Sequence, residues 1–304
     1  MTWYFGIRYH KKRGEEMKPL FEKVRCSIRS EKIPPEFYGV RMVHLSDLHG
    51  AWFGKNHSLL IKAIDDFHPD MVLMTGDMAD SKRGGLESGL ALCRRLARRY
   101  PVYYSIGNHE MTLEPGCRNI FFRQLKQWGI CVLDNEWQTI TRDGGQIRIC
   151  GLTMPLVYYK DPLGEFQWGI QFEKEDMERF LGKADPECCT LLLAHNPLYY
   201  PAYREWGADL TLSGHVHGGI IRFPGKKLPG LLSPDLRLFP PYSRGHYIEQ
   251  GKHLVVSSGL GNRFLKRICN PPQLVELVLE GRSPRKKETG RENLKKLPET
   301  AKNR

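Results

Sequence analysis

The stretch MVLMTGD at residues 71–77 determines the fold prediction, because an unbroken apolar run ends there in glycine and aspartate. Such runs are typical of strands covered on both faces, as parallel strands in α/β proteins are. Similar runs occupy residues 41–46 and 102–106, and helical spacing over residues 58–67 and 86–99 separates the three runs. The order strand–helix–strand–helix–strand therefore predicts a parallel α/β half in this part of the chain.

A second group of strands is predicted farther along the chain. Short apolar or alternating runs predict strands near residues 130–133, 137–141, 147–152, 190–194, 210–213, 253–257 and 274–279. Helices are predicted around residues 119–128 and 172–181, and DGG at residues 143–145 predicts a hairpin turn. We therefore predict an α/β fold in which two β-sheets pack face to face as a sandwich and helices flank them.

The chain divides into three parts by composition. Residues 1–39 form an N-terminal segment whose alternating Val24, Cys26 and Ile28 predict a half-buried edge strand. Residues 40–280 form the main domain. Residues 281–304 are predicted to be a basic, disordered tail, because they hold nine Lys or Arg against three Glu.

The net charge of +12 is concentrated at the two ends of the chain. The first 40 residues hold nine basic against five acidic side chains, so the central domain is close to neutral. A near-neutral domain counts against a nucleic-acid partner. Basic ends suit contact with an anionic membrane surface, although a merely solvated tail has the same composition.

Composition also indicates the compartment. No apolar run reaches the ~18–20 residues that span a bilayer. The N-terminal apolar stretch is too short for a secretion signal, and its basic residues follow it instead of preceding it. Eight cysteines without any C-x-x-C pair indicate reduced thiols. We expect a cytoplasmic protein, with peripheral membrane contact left open.

Five short blocks carry the residues suited to chemistry, and each follows an apolar run. They are SDLHG at residues 46–50, TGDM at 75–78, GNHE at 107–110, AHNP at 194–197 and GHVHGG at 214–219. Their Asp, Asn and His side chains supply the oxygen and nitrogen ligands of first-row divalent metals. One such block alone is more often a turn or a cap. Five in succession at predicted strand ends indicate a metal site.

In this order the blocks resemble the signature of calcineurin-like metallophosphoesterases, over about residues 40–280. The resemblance implies a four-layer α/β/β/α fold and a hydrolase acting on phosphoric ester bonds. It also implies two divalent metal ions, with Asp77 bridging them. The first ion would be held by Asp47, His49 and His217, and the second by Asn108, His195 and His215.

The implied reaction is in-line attack of a metal-bridging hydroxide on a phosphodiester or phosphomonoester. Two cations ~3.5–4 Å apart repel each other, so an anion such as the Asp77 carboxylate is needed between them. His109 is implied to lie beside the metals, where its imidazolium can protonate the leaving group. Glu110 or another nearby carboxylate would fix the tautomer of His109. Nitrogen and oxygen ligands without thiolate fit Mn²⁺, Fe or Zn²⁺.

The C-terminal third resembles one bacterial branch of this family. The resemblance rests on HGGIIRFP at residues 217–224, LFPPY at 238–242, SSGLG at 257–261 and NPP at 270–272. Members of that branch are often membrane-anchored, and some relatives cleave UDP-2,3-diacylglucosamine, so a lipid-linked or nucleotide-sugar phosphate is an implied substrate. The apolar loop at residues 228–232 suits peripheral contact with an anionic membrane.

Arg222 and Arg263 are candidates for binding the substrate phosphate, because guanidinium groups clamp phosphate bidentately. Two other functions stay open from the sequence. One is a nuclease of the same superfamily, which the near-neutral domain disfavours. The other is a non-catalytic scaffold on the same fold, which the full set of seven ligands disfavours.

Overall fold

The computed structural model describes residues 20–81, 84–159, 170–222, 230–261 and 267–281. Within these ranges the chain forms twelve strands: β1 (Glu22–Arg29), β2 (Arg41–Leu45), β3 (Met71–Met74), β4 (Val102–Ser105), β5 (Cys131–Leu133), β6 (Glu136–Arg142), β7 (Gly145–Leu152), β8 (Cys189–Ala194), β9 (Leu210–Ser213), β10 (Gly245–Glu249), β11 (Lys252–Val256) and β12 (Gln273–Glu280). The α-helices of the same ranges are α1 (Ser58–Phe67), α2 (Gly85–Ala97), α3 (Asn108–Met111), α4 (Pro115–Gln127), α5 (Lys174–Leu181) and α6 (Tyr200–Trp206). None of these helices combines the length and apolar character needed to cross a membrane.

The strands form two six-stranded sheets. The first has the order β1-β12-β2-β3-β4-β5, and its strands β2 to β5 are parallel. The second has the order β10-β11-β9-β8-β7-β6, and its strands β7, β8, β9 and β11 are parallel. The predicted parallel α/β half and the two-sheet arrangement are therefore confirmed.

Three apolar cores separate the layers, and strand β3 shows how one sheet contributes to two of them. Val72 and Met74 pack into the core that includes Leu60 and Ile64 of helix α1. Alternate side chains of a strand point to opposite faces, so Leu73 packs instead into the core between the two sheets. A third core joins the second sheet to α5 and α6. The result is the predicted four-layer α/β/β/α arrangement.

The predicted N-terminal edge strand is present as β1. It pairs in parallel with β12 along its whole length at the edge of the first sheet. Cys26 and Ile28 are buried and Val24 is half-buried, as the alternation predicts. Division of the chain at residue 39 stays a prediction. Residues 1–19 and the predicted tail after residue 281 lie outside the described residues.

The predicted hairpin between β6 and β7 is confirmed. Asp143 and Gly144 form its two-residue turn with φ values of 49° and 93°. Positive φ at both positions defines the type I′ turn that matches the twist of the flanking strands. The predicted helix over residues 119–128 begins earlier, at Pro115. Proline suits a first helical turn, and the Glu114 side chain accepts a hydrogen bond from the Cys117 N–H there.

Candidate metal centre

The five sequence blocks lie at the carboxyl ends of parallel strands. Asp47, Asp77 and Asn108 follow β2, β3 and β4 in the first sheet. His195 and His215 follow β8 and β9 in the second sheet. The carboxyl ends of neighbouring parallel strands lie at one edge of a sheet, which is where open α/β folds bind ligands. The two sheets bring their blocks together at this edge, so residues distant in sequence share one buried site.

One group of potential ligand atoms comprises Asp47, His49 and His217, all buried. Asp47 Oδ1 lies 3.7 Å from His49 Nε2 and 3.5 Å from His217 Nε2. The two Nε2 atoms are 3.2 Å apart. Three ligand atoms within 4.8 Å of one another can surround a metal ion.

Asp77 lies between this group and a second one. Its Oδ2 atom is 3.1 Å from His195 Nε2 and 3.7 Å from His49 Nε2. Asp47, Asp77 and His195 form a second set of ligand atoms within 4.8 Å of one another. The Asp77 carboxylate therefore lies near histidines of both groups.

Of the two remaining predicted ligands, His215 adjoins this second group. Asn108 Oδ1 is buried and has no hydrogen-bond partner among the described residues. His215 does not belong to the three-atom groups, but its ring centroid is 5.1 Å from that of His195. The His215 backbone N–H donates to Asp47 Oδ2 at 3.1 Å. His215 is therefore placed beside the second group of ligand atoms.

Contacts outside these groups orient two of the histidines. His195 Nδ1 donates to the Thr75 carbonyl oxygen at 2.5 Å, which leaves Nε2 facing the carboxylates. His49 Nδ1 lies 3.4 Å from Asp80 Oδ2. A carboxylate therefore contacts the ring nitrogen of His49 that does not belong to the group of ligand atoms. Such partners are the usual outer contacts of metal-binding histidines.

Glu110 does not have the predicted role of holding the His109 tautomer. Its carboxylate instead accepts hydrogen bonds from backbone N–H groups of Asp77 (2.8 Å), Ala79 (3.0 Å) and Gly107 (3.0 Å). The Tyr104 hydroxyl donates a fourth bond at 2.7 Å. These bonds fasten the loops after β3 and β4 to each other, because backbone donors in a buried turn need acceptors. Glu110 therefore fixes the backbone that carries Asp77.

Five of the seven predicted ligands have backbone conformations that non-glycine residues rarely adopt. The φ angles are 53° at Asp47, 44° at His49, 56° at Asp77, 63° at His215 and 50° at His217. Each such residue costs on the order of 1–3 kcal/mol, and clusters of them occur at functional sites. The fold maintains this strain where the ligand atoms converge.

The carboxylates of the site stay ionised, and the site attracts positive charge. Burial raises the pKa of Asp77, but His195 and His109 outweigh this and hold it well below the usual value. Burial lowers the pKa of His49, whereas its bonds to Asp47 and Asp80 raise it to about 9. The pKa of His195 rises to about 10, because Asp77 offsets the effect of burial. A buried site that combines carboxylate oxygens with imidazole nitrogens is suited to binding divalent cations.

His109 is half-buried, and its ring forms a third group of potential ligand atoms with His49 and Asp77. Its backbone N–H donates to Asp77 Oδ1 at 2.8 Å, and its Nε2 lies 3.9 Å from Asp77 Oδ2. Arg222 donates to the Gly218 carbonyl oxygen at 3.4 Å, one residue after His217. Arg263 lies outside the described residues.

Three neighbours of the site are not among the residues predicted from the sequence: Asp80, Tyr159 and Arg267. Tyr159 packs its ring 5.1 Å from that of His215. The Arg267 Nη2 atom is 3.4 Å from His217 Nδ1, although 50 residues separate the two positions. Of the three, only Asp80 had a local signal, as a second carboxylate three residues after Asp77.

Comparison with known proteins identifies the class to which this site belongs. The model of the calcineurin-like phosphoesterase family matches residues 40–219. The chain therefore belongs to the calcineurin-like phosphoesterase family and is a hydrolase acting on phosphoester bonds.

The relatives are similar over most of this chain. It is 26% identical over 272 residues to the uncharacterized metallophosphoesterase YkuE of Bacillus subtilis. The matched region covers 86% of each protein. It is 27% identical over 264 residues to a Bos taurus transmembrane protein with a metallophosphoesterase domain. That match covers 82% of this chain but 55% of the cattle protein.

Among solved structures, the fold is similar to that of the phosphopantetheinyl hydrolase of Mycobacterium tuberculosis. The TM-score is 0.42 at 14% identity, and the match covers 72% of this chain and 89% of the hydrolase.

Proposed function

We propose that this chain binds two divalent metal ions and uses them to hydrolyse a phosphodiester or phosphomonoester. The observation that carries the proposal is the position of Asp77 Oδ2, 3.7 Å from His49 Nε2 and 3.1 Å from His195 Nε2. Asp77 would contact both ions. The proposed ligands of the first ion are Asp47, His49 and His217, and those of the second are Asn108, His195 and His215.

The donor atoms fit such ions. Asn108 Oδ1 is buried without a hydrogen-bond partner among the described residues, which is unfavourable unless a cation binds it. His195 Nε2 faces the Asp77 carboxylate at 3.1 Å. When bound, the two ions supply Lewis acidity and lower the pKa of water enough to provide a nucleophile near neutral pH. Mn²⁺, Fe and Zn²⁺ all accept this oxygen and nitrogen set.

His109 is the proposed general acid. Its ring is half-buried, whereas the other histidines of the site are buried, so a substrate can reach it. The bond from its backbone N–H to Asp77 Oδ1 fixes its place beside the ligand groups. A protonated imidazole there can stabilise charge on the phosphoryl group and give its proton to the leaving oxygen.

Arg222 and Arg263 stay predicted contacts of the substrate phosphate. The bond from Arg222 to the Gly218 carbonyl supports a place near His217. A lipid-linked or nucleotide-sugar phosphate stays the predicted substrate.

A substrate panel tests the proposed function. Purified protein loaded separately with Mn²⁺, Fe²⁺ and Zn²⁺ is assayed with bis-p-nitrophenyl phosphate, p-nitrophenyl phosphate, UDP-diacylglucosamine and single- and double-stranded DNA at two salt concentrations. We expect metal-dependent release from a small or lipid-linked phosphoester. Cleavage confined to DNA, with loss at high salt, would indicate a nuclease. Absence of bound metal and of turnover would indicate a scaffold.

We also propose peripheral contact with an anionic membrane. The described part of the loop after His217 exposes three apolar side chains, Leu236, Leu238 and Phe239, at 55%, 63% and 54%. Apolar side chains on such a loop can enter the interface between headgroups and acyl chains. Co-sedimentation with anionic and neutral vesicles, with and without residues 282–304, measures the contact. Equal recovery in all four cases would refute it.

A further inference from the structure

A cavity of about 280 Å³ opens beside the metal centre. His215 belongs to its wall, so the cavity adjoins the proposed ligands of the second ion. Four aromatic side chains line it as well: Tyr158, Tyr159, Phe172 and Tyr199. The hydrolysis proposed above does not assign a function to this cavity.

Three of the rings form a preorganised aromatic surface. The ring centroid of Tyr158 is 5.0 Å from that of Phe172 and 5.8 Å from that of Tyr199, both edge-to-face. The centroids of Phe172 and Tyr199 are 5.4 Å apart. The Tyr199 hydroxyl donates to the Tyr158 carbonyl at 3.0 Å and so fixes its ring. A rigid aromatic surface of this kind binds a planar ring at little entropic cost.

Tyr159 connects this surface to the metal centre. Its ring centroid lies 5.1 Å from that of His215 and 6.3 Å from that of His195. A phosphoester bound at the proposed second ion, beside these histidines, would therefore place one of its substituents next to Tyr159. Only a short linker, such as a sugar, would be needed to reach the other rings.

The polar groups of the wall favour a ring with hydrogen-bonding edges over a plain hydrocarbon. Asn196 is 2% exposed, and its Oδ1 accepts a bond from the Leu198 N–H at 3.0 Å. The Nδ2 atom of the same side chain carries two N–H donors. A hydrocarbon filling the cavity would leave such donors unpaired, which is unfavourable. Asp235 and Arg237, which also line the cavity, add one charged group of each sign.

We propose that this cavity binds the non-phosphate group of the substrate and that this group is a planar heteroaromatic ring, as in a nucleoside. The proposal rests on the proposed function, because it assigns a substrate class to the same site. Stacking on Tyr158 would hold the ring, and Asn196 would donate to its edge. Base stacking on aromatic side chains tolerates different bases. We therefore expect the cavity to prefer substrates with a planar ring and to discriminate little between bases.

Two chromogenic diesters with the same leaving group test the proposal. Thymidine 5′-(4-nitrophenyl phosphate) and methyl 4-nitrophenyl phosphate differ only in whether a nucleoside is present. We expect kcat/KM to be at least about tenfold higher for the nucleoside diester. Tyr158→Ala should reduce this ratio about tenfold, and Tyr158→Phe should preserve it, because the ring and not the hydroxyl makes the stacking surface. No preference in the wild type, or an unchanged ratio in Tyr158→Ala, would overturn the proposal.

Trp137→Ala is the matched control, because Trp137 is an aromatic residue of strand β6, 50% exposed and outside the cavity wall. Calorimetric binding of thymidine 5′-monophosphate separates this proposal from the proposed function. If neither diester is hydrolysed but the nucleotide binds and Tyr158→Ala weakens binding about tenfold, the cavity assignment stands and the hydrolytic function falls. Absence of nucleotide binding overturns the cavity assignment whatever the activity.

Discussion

At the scale of single residues, the candidate site combines backbone strain with a buried polar atom that lacks a partner. Asp47 and Asp77 have φ values of 53° and 56°, and Asn108 Oδ1 has no hydrogen-bond partner among the described residues. Both features are unfavourable in a protein without a ligand. They persist because surrounding contacts, such as the four hydrogen bonds to Glu110, fix the loops. The arrangement is stabilised further when cations bind.

The role of His109 belongs to this scale. His109→Ala should reduce kcat by ~10²–10⁴, the range for loss of a general acid, while the metal content stays at the wild-type level. The loss should grow as the pKa of the leaving group rises, because a poor leaving group needs the proton most. Steady-state kinetics with a series of phenyl phosphoesters, together with elemental analysis, measures both effects.

His68→Ala is the control for this variant, because His68 is an exposed histidine that also has positive φ. It should leave kcat unchanged. Loss of metal from His109→Ala, or a rate loss independent of the leaving group, would contradict the assignment.

At the scale of elements, sequence patterns predicted the strands, helices and turns whose signal lies within a few neighbouring residues. The apolar run of β3 and the hairpin turn at Asp143 could be predicted because each has its own signal within a few residues. Helix α3 spans only four residues, which is too short to show an amphipathic period. Strand β10 was missed because its half-exposed residues show no regular alternation. Arg267 was missed as a neighbour of His217 because tertiary packing alone brings the two together.

A buried histidine joins two elements of the first layer. The neutral His57 ring donates from Nε2 to the Ser88 carbonyl in α2 at 3.0 Å, and the Ser88 hydroxyl donates to the Ala51 carbonyl at 2.7 Å. Burial lowers the pKa of His57 to about 4. The unfolded chain has a histidine pKa of about 6.5 and so binds more protons than the folded chain between these values. The free energy of unfolding should therefore fall as the pH decreases through this window.

His57→Gln keeps a donor near Ser88 but removes the titration. Urea unfolding of metal-free protein at pH 7 and pH 4.5 should show that the wild type loses about 2 kcal/mol more than the variant over this interval. Metal-free protein is used so that proton competition with bound cations does not contribute. Equal losses in the two proteins would show that His57 is not the titrating group.

At the scale of the whole molecule, the site depends on the packing of two sheets. Asp47, Asp77 and Asn108 come from the first sheet, whereas His195, His215 and His217 come from the second. The core between the sheets, including Leu73 and Leu193, sets their separation and hence the distances between ligand atoms. The sequence blocks predicted which residues converge. The distances, the strain and the adjoining aromatic cavity follow from tertiary packing and could not be predicted locally.

The most direct test of the central claim is the number of metal ions bound per chain in the wild type and in Asp77→Asn, measured by elemental analysis alongside turnover. Asp77 contacts both groups of ligand atoms, so we expect two ions per wild-type chain and loss of metal and activity in the variant. Asp143→Asn, at the exposed tip of the β6–β7 hairpin, should match the wild type. An Asp77→Asn protein that keeps two ions and normal turnover would contradict the account.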